Sequence, residues 1–304
     1  MEFSVKKVDD YNFLVKIAAY SASGTALLLV TIKLYAWLVT DASSMLASTT
    51  DSMLDLFASV MNVVILRYAL APADDEHRFG HGKAESLAGL VQAAFVMGSS
   101  LLLMFNGLDR LITPKQIVHS EVGIWVTIIA IVMTLLLVTL QRYVISRTQS
   151  VAISADALHY QSDLLLNFGV LVALILSQGI WIRADGLFTI AVGAFLFWGA
   201  IKIVWLSIHH LMDHELGEDE VEKIKTIVSA HAKAEGLHEL RTRQAGPQRF
   251  IQFHLELDDN LSLLEAHSIG EAIEEEIKAA LSPCEVFIHH DPTSVVQNEI
   301  LAKE

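Results

Sequence analysis

The chain has 304 residues, 53% of them hydrophobic and only 18% charged, and its mean hydropathy is +0.46. Soluble globular proteins carry about 25% charged residues, so the composition argues against an ordinary soluble protein and for a membrane protein. The formal net charge is −14, which argues against nucleic acid as a partner, because phosphate binding requires an excess of Lys and Arg.

The charge is unevenly placed. Residues 1–212 hold 15 acidic and 13 basic side chains, a net of −2, whereas residues 213–304 hold 20 and 8, a net of −12. The break predicts a membrane domain over 1–212 and a separate acidic domain over 213–304. Cys284 is the one cysteine, so no intramolecular disulfide forms, in keeping with a reducing compartment. The opening "MEFSVKKVDDYNFLVK" puts acidic residues ahead of the first apolar run, unlike a cleavable signal peptide.

A membrane helix needs about 20 mainly apolar residues. Six segments qualify in chain order: 14–38, 45–69, 84–108, 122–144, 157–178 and 186–210. Lys6, Lys7, Lys16, Arg67, Arg78, Lys83, Arg142 and Arg147 fall on one side of a six-span protein. Arg110, Lys115 and Arg183 fall on the other. The basic side is cytoplasmic, so both termini are expected inside.

Beyond the spans the pattern changes. "EDEVEKIKTIVSAHAKAEG" has helical spacing and is expected to end at Gly236. "LHELRTR" and "RFIQFHLELD" alternate like strands around the turn "QAGPQ". "SLLEAHSIGEAIEEEIKAALS" is an amphipathic helix, and "CEVFIHHD" is a strand stopped by Pro292. The fold class is therefore an α-helical membrane protein of six transmembrane helices with a C-terminal cytoplasmic α+β domain in the order αββαβ.

Two spans carry ionisable pairs. "DSMLD" places Asp51 and Asp55 four apart on the second span, and "HYQSD" places His159 and Asp163 four apart on the fifth. Residues four apart share one helix face. At about 1.5 Å of rise per residue, both pairs reach a similar depth near mid-membrane. Charges in hydrocarbon are costly and functional by default. Three carboxylates and one imidazole suit a divalent ion, with Zn2+, Fe2+ and Cd2+ all acceptable. Ser48, Ser59, Asn62 and Asn167 extend the polar stripe.

Four protein ligands close a zinc shell and leave no position for an attacking water. No HExxH and no serine or cysteine nucleophile pattern is present. The site therefore points to transport rather than catalysis. Metal ligands must be deprotonated to bind, and three crowded carboxylates repel one another when empty. The empty site should hold protons and the loaded site metal, which is the basis of a metal/proton antiporter. The alternatives are a membrane metal sensor, which would need the tail sites only, and an intramembrane metalloenzyme, which would need an open coordination position.

"DSMLD", "RYALAPADDEHRFGHGKAESLA", "LHYQSD", "LRTRQAGPQRFIQFHLE" and "HHDP" together resemble the cation diffusion facilitator family over essentially the whole chain. The resemblance implies a homodimer in a bacterial inner membrane, with a metallochaperone-like cytoplasmic domain. It implies export of cytoplasmic metal, Zn2+ with Fe2+ and Cd2+ as further substrates, driven by protons through alternating access. Asp51, Asp55, His159 and Asp163 match the family's transport site. Asp74, His77 and His81 match its loop site, with Asp75 or Glu76 able to replace Asp74. His238, His254, His267, His289 and Asp291 match its cytoplasmic sites, where Zn2+ would be a structural or regulatory ion.

Strand alternation puts His254 opposite the apolar Ile251, Phe253 and Leu255, and sets His289 and Asp291 apart from His290. His238, His254 and Asp291 are read as one ion site, and His267 with His289 as a second that Asp291 bridges. His214, His231 and His290 read as ordinary surface histidines. Lys83 and Asp213 either pair between helices or snorkel to the headgroups. Asp156 is expected to guide ions without ligating them.

Overall fold

A computed structural model describes residues 2–40, 43–113, 121–176 and 184–296. It divides into two compact units, residues 12–208 and residues 209–304 together with 1–11. The described helices and strands run α1 Glu2–Thr40, α2 Ser43–Ala69, α3 Lys83–Ile112, α4 Glu121–Thr148, α5 Val151–Leu176, α6 Ala184–Leu211, α7 Glu218–Ala230, β1 Gly236–Ala245, β2 Gln248–Leu257, α8 Leu263–Leu281 and β3 Cys284–Pro292. The end of the fifth predicted span, and Lys115 and Arg183 of the predicted outer side, lie outside the described residues.

The first unit is a bundle of the six long helices. Apolar chain in lipid must satisfy its own backbone hydrogen bonds, which a helix does within one segment. Among the described residues, five helices are long and apolar enough to span: Asp10–Thr40, Ser48–Ala69, Lys83–Ile112, Ile124–Thr148 and Gly186–Leu211. The sixth, α5, carries Asp156, His159 and Asp163 and packs against α3 and α4 and, less extensively, α2. Its polar groups face neighbouring helices rather than lipid. Outward-facing side chains are large and apolar, among them Phe57, Phe95 and Trp198.

Small residues set the helix spacing. A Cβ on Gly107 of α3 would lie 2.8 Å from the Gly186 carbonyl of α6, and one on Gly193 would lie 3.0 Å from the Ser100 carbonyl. Lipid supplies no hydrophobic drive between helices, so close backbone approach through such residues provides the van der Waals contact that holds them.

The second unit is a three-stranded sheet in the order β1-β2-β3, with β1 and β2 antiparallel and β2 and β3 parallel. The β1–β2 hairpin turns through Gly246 at φ +58, a left-handed conformation that glycine adopts without steric cost. One face of β2 (Ile251, Phe253 and Leu255) packs with Ile224 and Val228 of α7 and Ile269, Ile273 and Ile277 of α8. The helix α7 ends at Ala230, six residues before Gly236. Its buried stripe, Ile224 and Val228, is already complete there, and the chain must turn to enter β1. Ser262 opens α8 with a capping box: its side chain accepts from the Glu265 backbone N–H, while the Glu265 carboxylate accepts from the Ser262 N–H.

Candidate metal centres

In the membrane unit, α2 and α5 bring Asp55, His159 and Asp163 together, with ligand atoms within 4.8 Å of one another. His159 Nε2 lies 2.9 Å from Asp55 Oδ1 and 3.9 Å from Asp163 Oδ2. All three side chains are half-buried. Asp51, one turn earlier on α2, lies outside this converging set on an exposed position, within electrostatic range of Asp55 and Lys33.

Polar neighbours orient the site. Tyr160, buried beside His159, shares a 2.7 Å hydrogen bond with Ser59 Oγ and donates to the Ala22 carbonyl at 3.3 Å, tying α5 to α2 and α1. Asn167 donates to the Asp163 carbonyl. The buried Asn62 amide has no hydrogen-bond partner among the described residues.

Lys33 of α1 was not singled out by the sequence reading. Its Nζ donates to Ser52 Oγ at 2.7 Å, on the α2 turn that carries Asp51. A lysine inside the run "LLLVTIKLYAWLV" was itself the signal, since an intramembrane charge needs a partner.

Asp156 is bound to two neighbouring helices. It is fully buried and its two carboxylate oxygens accept from Gln92 Nε2 of α3 at 3.1 Å and Gln141 Nε2 of α4 at 2.7 Å. It fastens three helices one turn from His159.

In the loop between α2 and α3, Asp74, His77 and His81 converge within 4.8 Å. Asp74 Oδ1 accepts from the His77 and Glu76 backbone N–H groups at 2.6 and 3.0 Å. The His77 N–H foremost holds the Asp74 carboxyl below the usual carboxylate range. Asp74 Oδ2 lies 3.3 Å from His81 Nε2. His81 is buried against Tyr68, and its Nδ1 has no hydrogen-bond partner among the described residues. Asp75 pairs with Arg78 instead.

In the sheet unit, strand register does the positioning. The antiparallel pairing sets His238 opposite His254, and the parallel pairing sets His254 beside His289 and Glu256 beside Asp291. Three imidazoles thus form a row across the sheet on the face away from the helices. Asp291 is the hub: Oδ2 lies 2.7 Å from His254 Nδ1 and 3.3 Å from His238 Nε2, and Oδ1 lies 3.1 Å from His289 Nε2. His238, His254 and Asp291 satisfy the mutual 4.8 Å spacing of a metal site.

Glu256, missed in the sequence, takes the His238 Nδ1–H at 2.9 Å. The His238 ring thus sits between Glu256 at Nδ1 and Asp291 at Nε2, and a carboxylate behind a ring nitrogen is an arrangement common behind metal ligands. Its side of β2 matches that of His254, so strand parity was the available signal.

His267 is not brought into this set. It sits exposed on α8 within electrostatic range of His290. His290 lies under α8, where a Cβ on Gly270 would come 2.3 Å from its Nε2. Burial first, then His267 and His289, push His290 below the ordinary histidine range. Asp213 pairs with Arg243 at 3.4 Å within the same unit, and Lys83 opens α3 in the other unit.

A helical bundle with an Asp/His cluster between helices, joined to a small sheet domain with a second cluster, defines a class of metal-handling membrane proteins. The family model described as the cation efflux transmembrane domain matches residues 19–212, and that described as the cytoplasmic domain of cation efflux proteins matches residues 216–293. The chain belongs to the cation efflux family, the cation diffusion facilitators.

It is 50% identical to the cation-efflux pump FieF of Shewanella oneidensis over 95% of this chain and 98% of that one. It is 47% identical to the FieF pump of Citrobacter koseri over 95% and 96%. This protein is accordingly a multi-pass membrane transporter that exports metal cations, and not an enzyme.

Proposed function

We propose that this transporter is a proton-coupled antiporter that exports cytoplasmic Zn2+, with Fe2+ and Cd2+ as further substrates, through Asp51, Asp55, His159 and Asp163. The observation that carries the reading is the convergence of Asp55, His159 and Asp163 from two helices far apart in sequence. Imidazole and carboxylate donors suit zinc. They bind metal only when deprotonated, so metal and protons exclude each other at the site. Alternating access then opens the site to one side with protons and to the other with metal.

The donor sets of the loop and the sheet also fit zinc. Asp74, His77 and His81 offer one carboxylate and two imidazoles, and the buried unpartnered Nδ1 of His81 supports a ligand at that loop. His238, His254, His289 and Asp291 would hold zinc on the cytoplasmic domain. There zinc would order the sheet face or report cytoplasmic metal. We further infer a homodimer in a bacterial inner membrane, with a membrane domain over 1–212, a cytoplasmic domain over 213–304, and both termini cytoplasmic.

The test is zinc flux in proteoliposomes under an imposed pH gradient, for the native chain and Asp55→Ala. Flux that follows the gradient in the native protein and disappears in the variant is expected. Flux indifferent to the gradient removes the proton coupling. Normal flux in Asp55→Ala removes the site and favours a sensor.

A further inference from the structure

The end of α6 gathers three histidines that the transport reading does not use. Asp213 adopts φ +56. Its N–H bonds the His210 carbonyl at 3.4 Å, and the His214 N–H bonds the His209 carbonyl at 3.0 Å. This pair of bonds is a Schellman closure, in which a left-handed residue ends the helix and folds the next residue back along it. The fold-back lays His214 on His209, with ring centroids 4.5 Å apart and planes at 42°. His210 lies within electrostatic range of both.

That ring geometry recurs in this protein. His77 and His81 are 4.6 Å apart at 47°, His254 and His289 are 4.6 Å apart at 47°, and His238 and His254 are 5.0 Å apart at 52°. The His77–His81 and His238–His254 pairs belong to sets with metal-ligand spacing, and His289 shares Asp291 with His254. Two imidazoles sharing one ion at Zn–N distances of about 2.0–2.1 Å in a tetrahedral shell place their centroids roughly 5 Å apart.

The tautomer is also set. His214 Nδ1 lies 2.9 Å from the Glu215 carbonyl oxygen. A carbonyl only accepts, so Nδ1 carries the hydrogen and Nε2 keeps its lone pair. Metal-binding histidines are commonly oriented by this kind of bond on the opposite nitrogen.

We propose that His209 and His214, with His210 beside them, form a further metal site at the C-terminal end of α6. Its donors are imidazole nitrogens, so it takes borderline transition-metal dications such as Zn2+ or Ni2+ and discriminates against Mg2+, Ca2+ and Mn2+, which prefer oxygen. Two or three protein ligands with water completing the shell make it an exchangeable site rather than a closed one. It goes beyond the transport reading and does not depend on it.

The test is zinc binding to the intact detergent-solubilised protein by equilibrium dialysis, with and without excess Mg2+. The native chain is compared with the double variant His209→Gln/His214→Gln and with His214→Gln alone. Loss of one zinc per protomer in the double variant, with its unfolding temperature unchanged and Mg2+ without effect, is the expected result. An unchanged zinc count overturns the site. Should the double variant fail to fold, the exposed single variant decides: at least a tenfold weaker affinity for one ion supports the site, and an unchanged isotherm overturns it.

Discussion

His159 Nε2 on α5 lies 2.9 Å from Asp55 Oδ1 on α2, joining residues 104 positions apart. The contact fixes the spacing of two helices and presents both groups to the same point as Asp163. Removing one ligand must cost more than removing an outer-shell partner, which alone weakens metal binding about 10–100-fold. Asp55→Asn and Asp163→Asn are therefore each expected to lower intramembrane zinc affinity by at least about 100-fold. Zinc titration of the purified protein, with loop and sheet sites monitored separately by their own variants, checks this.

Asp156 is fully buried and held by two amides. Replacing it by Ala orphans Gln92 and Gln141, and each unsatisfied buried group costs about 1–3 kcal/mol. Asn retains one acceptor and is expected to cost less. Thermal unfolding in detergent should rank native above Asp156→Asn above Asp156→Ala; equal midpoints would show that the clamp contributes nothing.

In the cytoplasmic unit, burial keeps His290 below the ordinary histidine range. The unfolded chain then binds a proton that the folded chain resists. The stabilisation is full above the unfolded value of about 6.5 and is lost as pH falls through it toward the folded value. In chelator-treated protein, amide-exchange protection of β2 and β3 should decline as pH falls below about 6.5. His290→Gln should flatten that part of the profile, once intrinsic exchange rates are corrected for.

Gly270 and His290 are a packed pair. Gly270→Ala drives a methyl group into the imidazole, and overpacking of this kind typically costs about 1–3 kcal/mol. Pairing it with His290→Ala should recover most of the loss. A double-mutant cycle with no coupling would mean that the helix shifts freely instead.

Backbone N–H groups, that of His77 foremost, hold the Asp74 carboxyl below the usual carboxylate range. Asp74→Asn keeps the shape and one acceptor but removes the charge. Zinc affinity at the loop is expected to fall by at least about 100-fold, since Asp74 is itself a donor and an outer-shell partner alone is worth about 10–100-fold, with the turn intact as judged by unchanged exchange at Gly80 and Ala84.

The amino-acid sequence alone determined the six apolar runs, the acidic tail, the αββαβ order and the DxxxD and HxxxD pairs. Each of these is a local pattern, a composition or a helix repeat that needs no partner to be read. Strand parity likewise placed His254 on the face opposite Phe253.

Tertiary structure decided which of these groups meet. Asp55 joins His159 and Asp163 while Asp51 stands apart, because helix rotation and tilt follow from packing and not from spacing. Asp156 became a clamp because Gln92 and Gln141 arrive from two other helices. His267 fell outside the sheet-face set because α8 covers the other face of the sheet. Lys33 found Ser52, Glu256 found His238, and a left-handed Asp213 laid His214 on His209. Hydrogen bonds and ligand sets are formed over a few ångströms between residues far apart in sequence, and only the folded chain brings them within that distance.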